Sequence, residues 1–396
     1  MHSNSVSDSV SDDSIPHVDL CVTKINQIKL MKCITYIISL ALAVFFLDGC
    51  INIDDLDPWC GPSPSTGVPS STTANCYIVS NSGSYSFPTV KGSSTETVGT
   101  VVCADVLWES FGTDVKPSAG DLISSVSYSS GKISYTVASP FREGNAVIAA
   151  MDASGTILWS WHIWLTDQPE EQVYNNNAGT MMDRNLGATS ATPGDVGALG
   201  LLYQWGRKDP FLGSSSISSN TLAKSTITWP ASVPSSSSKG TIKYATSHPT
   251  TFITYNDGNF DWCFSGSSAT DDTRWQSEKT IYDPCPVGWR VPDGGKAGVW
   301  SRASEDYSFR HTYDSVDAGM NFSGKFADVS TVWYPASGYR DPYDGTLSFV
   351  GNYGNYWSVT PYGDYAYSLD FGGHDDVYPS FYYDRARGQS VRCLQE

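Results

Sequence analysis

The stretch NAVIAAMDASGTILWSWHIW, residues 145–164, decides the fold of the first half of this chain. Two β-prone runs flank Asp152-Ala153-Ser154-Gly155, a loop of a length that β-hairpins use. In the second run alternate residues share a face, and both faces are largely apolar: Ile157, Trp159, Trp161 and Ile163 on one, Leu158, Ser160, His162 and Trp164 on the other. We therefore expect a hairpin whose second strand is covered on both sides.

Shorter β-prone runs surround this hairpin. CYIV at 76–79 and SYSFPTV at 84–90 are separated by Asn81, Ser82 and Gly83, and KISYTVA at 132–138 alternates apolar and polar residues. Several short strands with turn residues between them are typical of a β-sandwich. Residues 73–167 are therefore predicted to form a β-sandwich module.

The remainder of the chain, residues 168–396, has a different composition and fewer long periodic segments. It is rich in loops that contain Gly, Tyr and Asp, and residues 213–240 form a Ser-rich stretch that predicts a surface loop. Strand patterns return near the end, where YAYSLDF at 365–371 alternates. The expected fold class is thus mostly β or α+β, with a sandwich module followed by a second domain.

Composition limits the classes of function. The 396-residue chain carries a net charge of −17, only 16% charged residues and 13% aromatic residues. It is too aromatic for a disordered protein and poor in the residues that build helices. The acidic balance argues against nucleic acid as a partner, because such partners select a basic surface.

The amino-terminal part predicts export and lipidation. MKCITYIISLALAVFFLDG at 31–49 has a basic start and an apolar run too short to span a membrane, and with Cys50 it resembles a lipoprotein signal peptide. We interpret residues 1–30 as a non-native leader caused by a start-site error, and residues 50–72 as a flexible linker. An ordinary secretory signal is the alternative.

A lipid on Cys50 would tether the protein to the outer membrane without a spanning helix. The acidic residues Asp54, Asp55 and Asp57 resemble the export tag of surface-exposed lipoproteins, which predicts a cell-surface location. An anchor that faces the periplasm, with these residues as part of a solvated linker, remains the alternative.

Catalytic signatures are scarce in the sequence. It contains no HExxH or GxSxG motif and no GxGxxG or GxxxxGK phosphate loop. We expect no enzyme, no catalytic residue, no metal site and no cofactor. A glycoside hydrolase stays open as an outside alternative, because its two carboxylates are brought together only by the fold.

Six motifs of the second region together resemble the FISUMP (Fibrobacter succinogenes major paralogous domain) family. They are TMMDRNLGA at 180–188, GLLYQWGRKDPF at 200–211, DPCPVGWRVPD at 283–293, PASGYRDPYDG at 335–345, GNYWSVTPY at 354–362 and GQSVRCL at 388–394. The resemblance implies a C-type-lectin-like α+β domain over residues 168–396. The preceding module resembles one found in fimbrillin-type surface lipoproteins. The EPN tripeptide of calcium-dependent lectins is missing.

The resemblance also bears on the cysteines. It implies that Cys285 approaches Cys393 in the last strand, with Cys263 as a competing partner for Cys285. Cys76 and Cys103 are a plausible second pair in the first module, since exported proteins commonly form disulfides.

The richest candidate ligand surface combines aromatic rings with acidic and His side chains in the loops of the second region. Such rings stack on sugars or anchor protein partners. The predicted residues are Tyr339, Tyr343, Tyr353, Tyr356, Asp364, His374, Asp375, Asp376 and Tyr378. Trp357, between them, is expected to belong to the core.

These observations predict a lipid-anchored cell-surface protein for adhesion or ligand binding, as a fimbrillin-type, pilus-associated subunit. Its partner would be a glycan or a host or pilus protein. The alternative is a glycan-binding surface lipoprotein of a polysaccharide-uptake system.

Overall fold

Seven strands form in the first module, where the β-prone runs stand. The computed structural model describes residues 73–255, 260–264, 271–305 and 309–396. The strands are β1 (Cys76–Val79), β2 (Gly83–Pro88), β3 (Cys103–Ser110), β4 (Ile123–Ser129), β5 (Lys132–Val137), β6 (Gly144–Met151) and β7 (Ile157–Leu165). They make a four-stranded sheet of order β1-β7-β6-β3 and a three-stranded sheet of order β2-β5-β4. Strand β1 runs parallel to β7, and the other neighbouring strands are antiparallel.

The predicted hairpin is confirmed. Strands β6 and β7 pair antiparallel from Gly144↔Leu165 to Met151↔Ile157. Side chains of both sheets meet in one apolar core, which includes Phe87, Ile133, Tyr135, Ile148, Trp161 and Ile163. On the other side of β7, Trp164 belongs to a second core cluster, so this strand is covered on both faces as expected.

The second region adds seventeen strands and little helix among the described residues. The strands are β8 (Glu171–Tyr174), β9 (Gly179–Met182), β10 (Leu201–Gln204), β11 (Phe211–Leu212), β12 (Val233–Pro234), β13 (Ile253–Thr254), β14 (Trp289–Arg290), β15 (Arg310–Asp314), β16 (Gly319–Ser323), β17 (Thr331–Pro335), β18 (Tyr339–Arg340), β19 (Leu347–Ser348), β20 (Tyr353–Tyr362), β21 (Tyr365–Gly372), β22 (Val377–Asp384), β23 (Gly388–Ser390) and β24 (Leu394–Gln395). Helix α1 is Ile242–Ser247, α2 is Val299–Ala303, and a 3₁₀ turn covers Val196–Ala198. The mostly β fold class is confirmed.

One large sheet organises this region. Its order is β11-β10-β23-β20-β21-β22, with β18 and β19 attached beside β23. Smaller sheets of order β14-β24-β9-β8 and β15-β16-β17, and the pair β12-β13, complete the region. Strands β20, β21 and β22 form the long antiparallel part of the large sheet and position the candidate site described below.

A shared core joins the two regions. Buried tryptophans from both lie in one cluster: Trp108 and Trp164 from the first region with Trp205, Trp275 and Trp357 from the second. The prediction that Trp357 is a core residue is therefore confirmed.

Polar contacts at the first strand add to this junction. Asn75 Nδ2 donates to the carbonyls of Ile281 at 2.7 Å and Asp283 at 2.9 Å. Its Oδ1 accepts from Trp159 Nε1 at 2.9 Å. Both polar atoms of the Asn75 side chain are thus used, in three hydrogen bonds, to fix β1 to its surroundings.

Cysteine pairing agrees with one prediction and corrects the other. Cys285 and Cys393 form a disulfide with their Cα atoms 6.1 Å apart, so Cys263 is not the partner of Cys285. The predicted Cys76–Cys103 pair is wrong: Cys76 is a buried free thiol, and Cys103 is bonded to another cysteine. The two lie on opposite edge strands of one sheet, three strand spacings or at least about 14 Å apart, whereas a disulfide needs Cα atoms within about 7 Å.

Predictions for the amino-terminal part fall outside the described residues. These are the leader at 1–30, the signal peptide at 31–49, the lipid on Cys50 and the linker at 50–72. Among the residues that are described, none of the helices is long and apolar enough to span a membrane.

Candidate functional site

One residue of the predicted ligand surface, Tyr356, does not lie on a surface. Tyr356 is completely buried. Its ring lies 4.8 Å from that of Tyr334 and its hydroxyl donates to the carbonyl of Pro335 at 2.6 Å. Both sides of β20 are buried at this point, with Tyr356 in one core cluster and Trp357 in another, so Tyr356 is a core residue and no part of a ligand surface.

Other predicted residues are exposed or partly exposed but lie apart. Asp364 stands in the turn between β20 and β21, while His374, Asp375 and Asp376 stand in the turn at the opposite end of β21. Tyr343 packs its ring against Tyr255, 4.6 Å away. The fold therefore does not bring these five residues into one site.

A different set of polar residues does come together, on one face of the large sheet. Asn355 on β20 is paired with Asp370 on β21. The parallel register Tyr356↔Ser390 places Asn355 beside Gln389 of β23. We call Asn355, Asp370 and Gln389 the polar floor, and the face that carries them the site face.

The hydrogen bonds of the polar floor leave two atoms without a protein partner. Asn355 Nδ2 donates to Asp370 Oδ1, which also accepts from the Tyr383 hydroxyl at 2.9 Å. Ser368 Oγ lies 2.9 Å from Gln389 Oε1. Among the described residues, Asn355 Oδ1 and Gln389 Nε2 have no hydrogen-bond partner, although both side chains are fully buried. Each such atom costs about 1–3 kcal/mol unless a partner outside the protein satisfies it.

Burial also affects the ionisation of Asp370, the one acidic residue of the polar floor. It raises the pKa of the Asp370 carboxyl, while hydrogen bonds from Tyr383 and Asn355 and the charge of Arg387 act in the opposite direction. Because a carboxylate only accepts hydrogen bonds, its bond from Asn355 fixes that amide with Oδ1 as the open acceptor.

Arg387 stands next to the floor between two tyrosines. Its guanidinium carbon lies 4.0 Å from the ring centre of Tyr339 and 4.1 Å from that of Tyr383. Cation–π contacts of this kind hold a guanidinium in one orientation. The positive charge of Arg387 offsets part of the negative charge of Asp370.

Aromatic rings surround the polar floor, and we call them the aromatic rim. Its members are Tyr339, Phe349, Tyr353, Tyr378, Phe381 and Tyr383. Phe349 lies 5.8 Å from Tyr339 and 5.2 Å from Tyr353, and Phe381 lies 5.7 Å from Tyr378 and 5.1 Å from Tyr383. Four of the rings are exposed to between 37% and 49%: Phe381, Tyr353, Tyr378 and Phe349. Exposed rings that are grouped around buried polar atoms are typical of ligand sites.

The backbone of Phe349 supports this assignment. Its φ is +58°, in the left-handed region that bulky residues rarely adopt. That conformation costs roughly 1–2 kcal/mol, and in return the chain presents an exposed phenyl ring between two tyrosines. A glycine would fit the same turn at lower cost.

Sequence reasoning found three rim residues, Tyr339, Tyr353 and Tyr378, and missed the floor. Asp370 was visible as one of the polar residues of the alternating YAYSLDF segment. Asn355 and Gln389 gave no signal of their own, because their neighbours in space come from other strands.

A second polar cluster lies inside the junction between the two regions. Cys76 Sγ is 3.3 Å from His162 Nδ1, and His162 Nε2 is 2.8 Å from Asn145 Oδ1. Asn145 Nδ2 donates to the carbonyl of Gly187 at 2.9 Å. Burial raises the pKa of the Cys76 thiol and lowers the pKa of His162 to about 3, so both groups stay neutral near pH 7. A neutral buried thiol is not a nucleophile, and the cluster acts as a structural link.

Comparison of the chain with protein-family models, curated proteins and solved structures gives no match. The resemblance to the FISUMP family therefore rests on its motifs alone.

Proposed function

We propose that this is a lipid-anchored cell-surface protein that binds ligands through the site face of its large sheet and serves adhesion or ligand capture. The polar floor under the aromatic rim is the single observation that carries the proposal. It combines two unpartnered buried amide atoms with four exposed rings, a combination that a purely structural surface does not need.

The position of the site in the fold also supports binding. The polar floor comes from strands β20, β21 and β23, which are fixed by the large sheet and by the neighbouring disulfide. A ligand site on rigid strands loses little conformational entropy when it is filled. The predicted export signal and the predicted lipid on Cys50 support a location on the outer face of the outer membrane. We propose that the protein acts there as a fimbrillin-type subunit.

Binding can be tested with the full chain purified from membranes in detergent and applied to arrays of glycans and of host-surface proteins. We expect retention on at least one array class, and loss of it in Asp370→Ala. Asp364→Ala is the matched control, since Asp364 lies on a turn away from the floor. Phe381→Ala, at an exposed position, repeats the test should Asp370→Ala unfold. Equal binding by all folded variants contradicts the assignment.

The anchor needs its own experiment. Cys50→Ser is expected to release the protein from the membrane fraction, and the mass of the amino-terminal peptide should show acyl chains on Cys50. Protease treatment of intact cells is expected to remove the body of the protein. Survival of that body in intact but not in broken cells would contradict surface exposure.

A further inference from the structure

We infer that the ligand of the site face is an uncharged saccharide, held by ring stacking on the aromatic rim and by hydroxyl bonds to the polar floor. This inference rests on the proposed function and specifies its ligand.

Hydrogen-bond chemistry is the first argument. Sugar hydroxyls both donate and accept, and the floor offers both roles. Asn355 Oδ1 is an open acceptor, Gln389 Nε2 is an open donor, and Asp370 accepts. The hydroxyl of Tyr383 already bonds to Asp370 at 2.9 Å, in the way that a sugar hydroxyl would.

Access to the floor runs past Tyr383. This residue lies on β22, an end strand of the sheet, and its ring is half-buried above Asp370. Rotation of this side chain would expose Asp370 and would also release the Tyr383 ring from Arg387 and Phe381. The Tyr383 hydroxyl is then replaced at Asp370 by a ligand hydroxyl, so the number of hydrogen bonds is conserved.

Ring stacking is the second argument. A pyranose ring has an apolar C–H face, which packs against flat aromatic surfaces. Tyr378 is paired with Asp370 in the sheet register, which places it on the site face. Its ring centre lies 5.7 Å from that of Phe381. Phe349 and Tyr353 offer a second exposed pair. The rim can therefore contact more than one sugar unit of a chain.

Charge is the third argument. The open atoms are uncharged amide atoms, and Asp370 beside them is balanced by Arg387. Asp384 interacts electrostatically with Arg387, and Asp341 does so with Tyr339, so further carboxylates border the site. With a net charge of −17 on the chain, sulfated, phosphorylated or uronic-acid sugars would be repelled.

The test titrates the full chain with neutral oligosaccharides and with their sulfated and uronic-acid counterparts, with and without EDTA, by calorimetry. Neutral chains are expected to bind and charged ones to bind at least about tenfold more weakly. Since none of the proposed contacts involves a cation, EDTA should leave binding unchanged. Loss of binding in EDTA, or a preference for the anionic sugars, overturns the inference.

Two equally exposed tyrosines on different strands of the large sheet, Tyr378 on β22 and Tyr362 on β20, provide matched variants. Tyr378→Ala removes a rim ring and is expected to weaken binding about tenfold, in line with the worth of an aromatic contact. Tyr362→Ala removes an equally exposed ring that contacts Tyr367 and Tyr382, neither of which belongs to the aromatic rim, and binding should not change. If Tyr378→Ala abolishes capture of a protein or an anionic sugar, the saccharide inference fails while the proposed function stands. If neither variant affects any binding, both fail.

Discussion

The replacement His162→Gln would test how the buried junction responds to acid. His162 is 2% exposed and bonded on both ring nitrogens, to Cys76 and Asn145. Burial lowers its pKa from 6.5 to about 3, because an imidazolium would lose its hydration there. Glutamine is uncharged at every pH, so the variant removes the titration and keeps polar atoms at the position.

The sign follows from proton binding. Between pH 6.5 and 3 the unfolded chain carries a proton on His162 and the folded chain does not, so stability falls as the pH falls through this window. The slope is at most about 1.4 kcal/mol per pH unit, and the gap between the two pKa values corresponds to a total of about 5 kcal/mol. Above pH 6.5 this group contributes no pH dependence.

Urea unfolding of the full chain at pH 8, 7, 6, 5 and 4 measures the effect. Relative to wild type, His162→Gln should lose less free energy of unfolding per pH unit below pH 6.5 and show the same slope above it. His374→Gln, at an exposed position, should follow wild type. In addition, the His162 imidazole should not titrate by NMR down to pH 4. A titration near pH 6.5 in the folded protein, or parallel slopes for all three proteins, would refute the reasoning.

Three further substitutions have defined outcomes. Replacing Cys285 and Cys393 by alanine should lower the free energy of unfolding by about 5 kcal/mol in denaturant titrations, since the bond closes a separation of 108 residues; a loss below about 1 kcal/mol would contradict the chain-entropy account. Glu109 accepts from three backbone amides at 2.7–3.0 Å, so Glu109→Gln should cost about 2–3 kcal/mol in the same assay, whereas exposed Glu96→Gln should cost less than about 0.5 kcal/mol. Phe349→Gly should change the free energy of unfolding by less than about 1 kcal/mol, because glycine relieves the unfavourable φ and this offsets the lost ring contacts. The same variant should bind neutral sugars more weakly than wild type. Unchanged binding would show that Phe349 is not part of the ligand site.

Local patterns were sufficient for the elements that pair with their neighbours in sequence. The hairpin of β6 and β7 has a short loop, so its register follows from the stretch at 145–164 alone. Coverage of β7 on both faces was also readable, because its two alternating sets are both apolar.

Sheet order was not readable, and this explains both errors. Cys76 and Cys103 belong to strands at opposite edges of one sheet, and nothing in their spacing shows that two strands stand between them. Tyr356 and Asn355 are adjacent in sequence, yet one faces a core and the other the polar floor. Alternation separates the two faces but does not say which face is open.

The parallel pairing of β1 with β7 has a mechanical consequence for a protein tethered through Cys50. When the disulfide of Cys103 is reduced, tension from the linker would pull β1 at its amino end, while a ligand held by the large sheet would pull β7 at its carboxyl end. In parallel strands these forces point in opposite directions along the strand axis, so the four residue pairs from Cys76↔His162 to Val79↔Leu165 are sheared together. Bonds that share a load break at a higher force than bonds that are peeled one by one. The first strand would thus act as a force-bearing joint between the membrane anchor and the bound ligand.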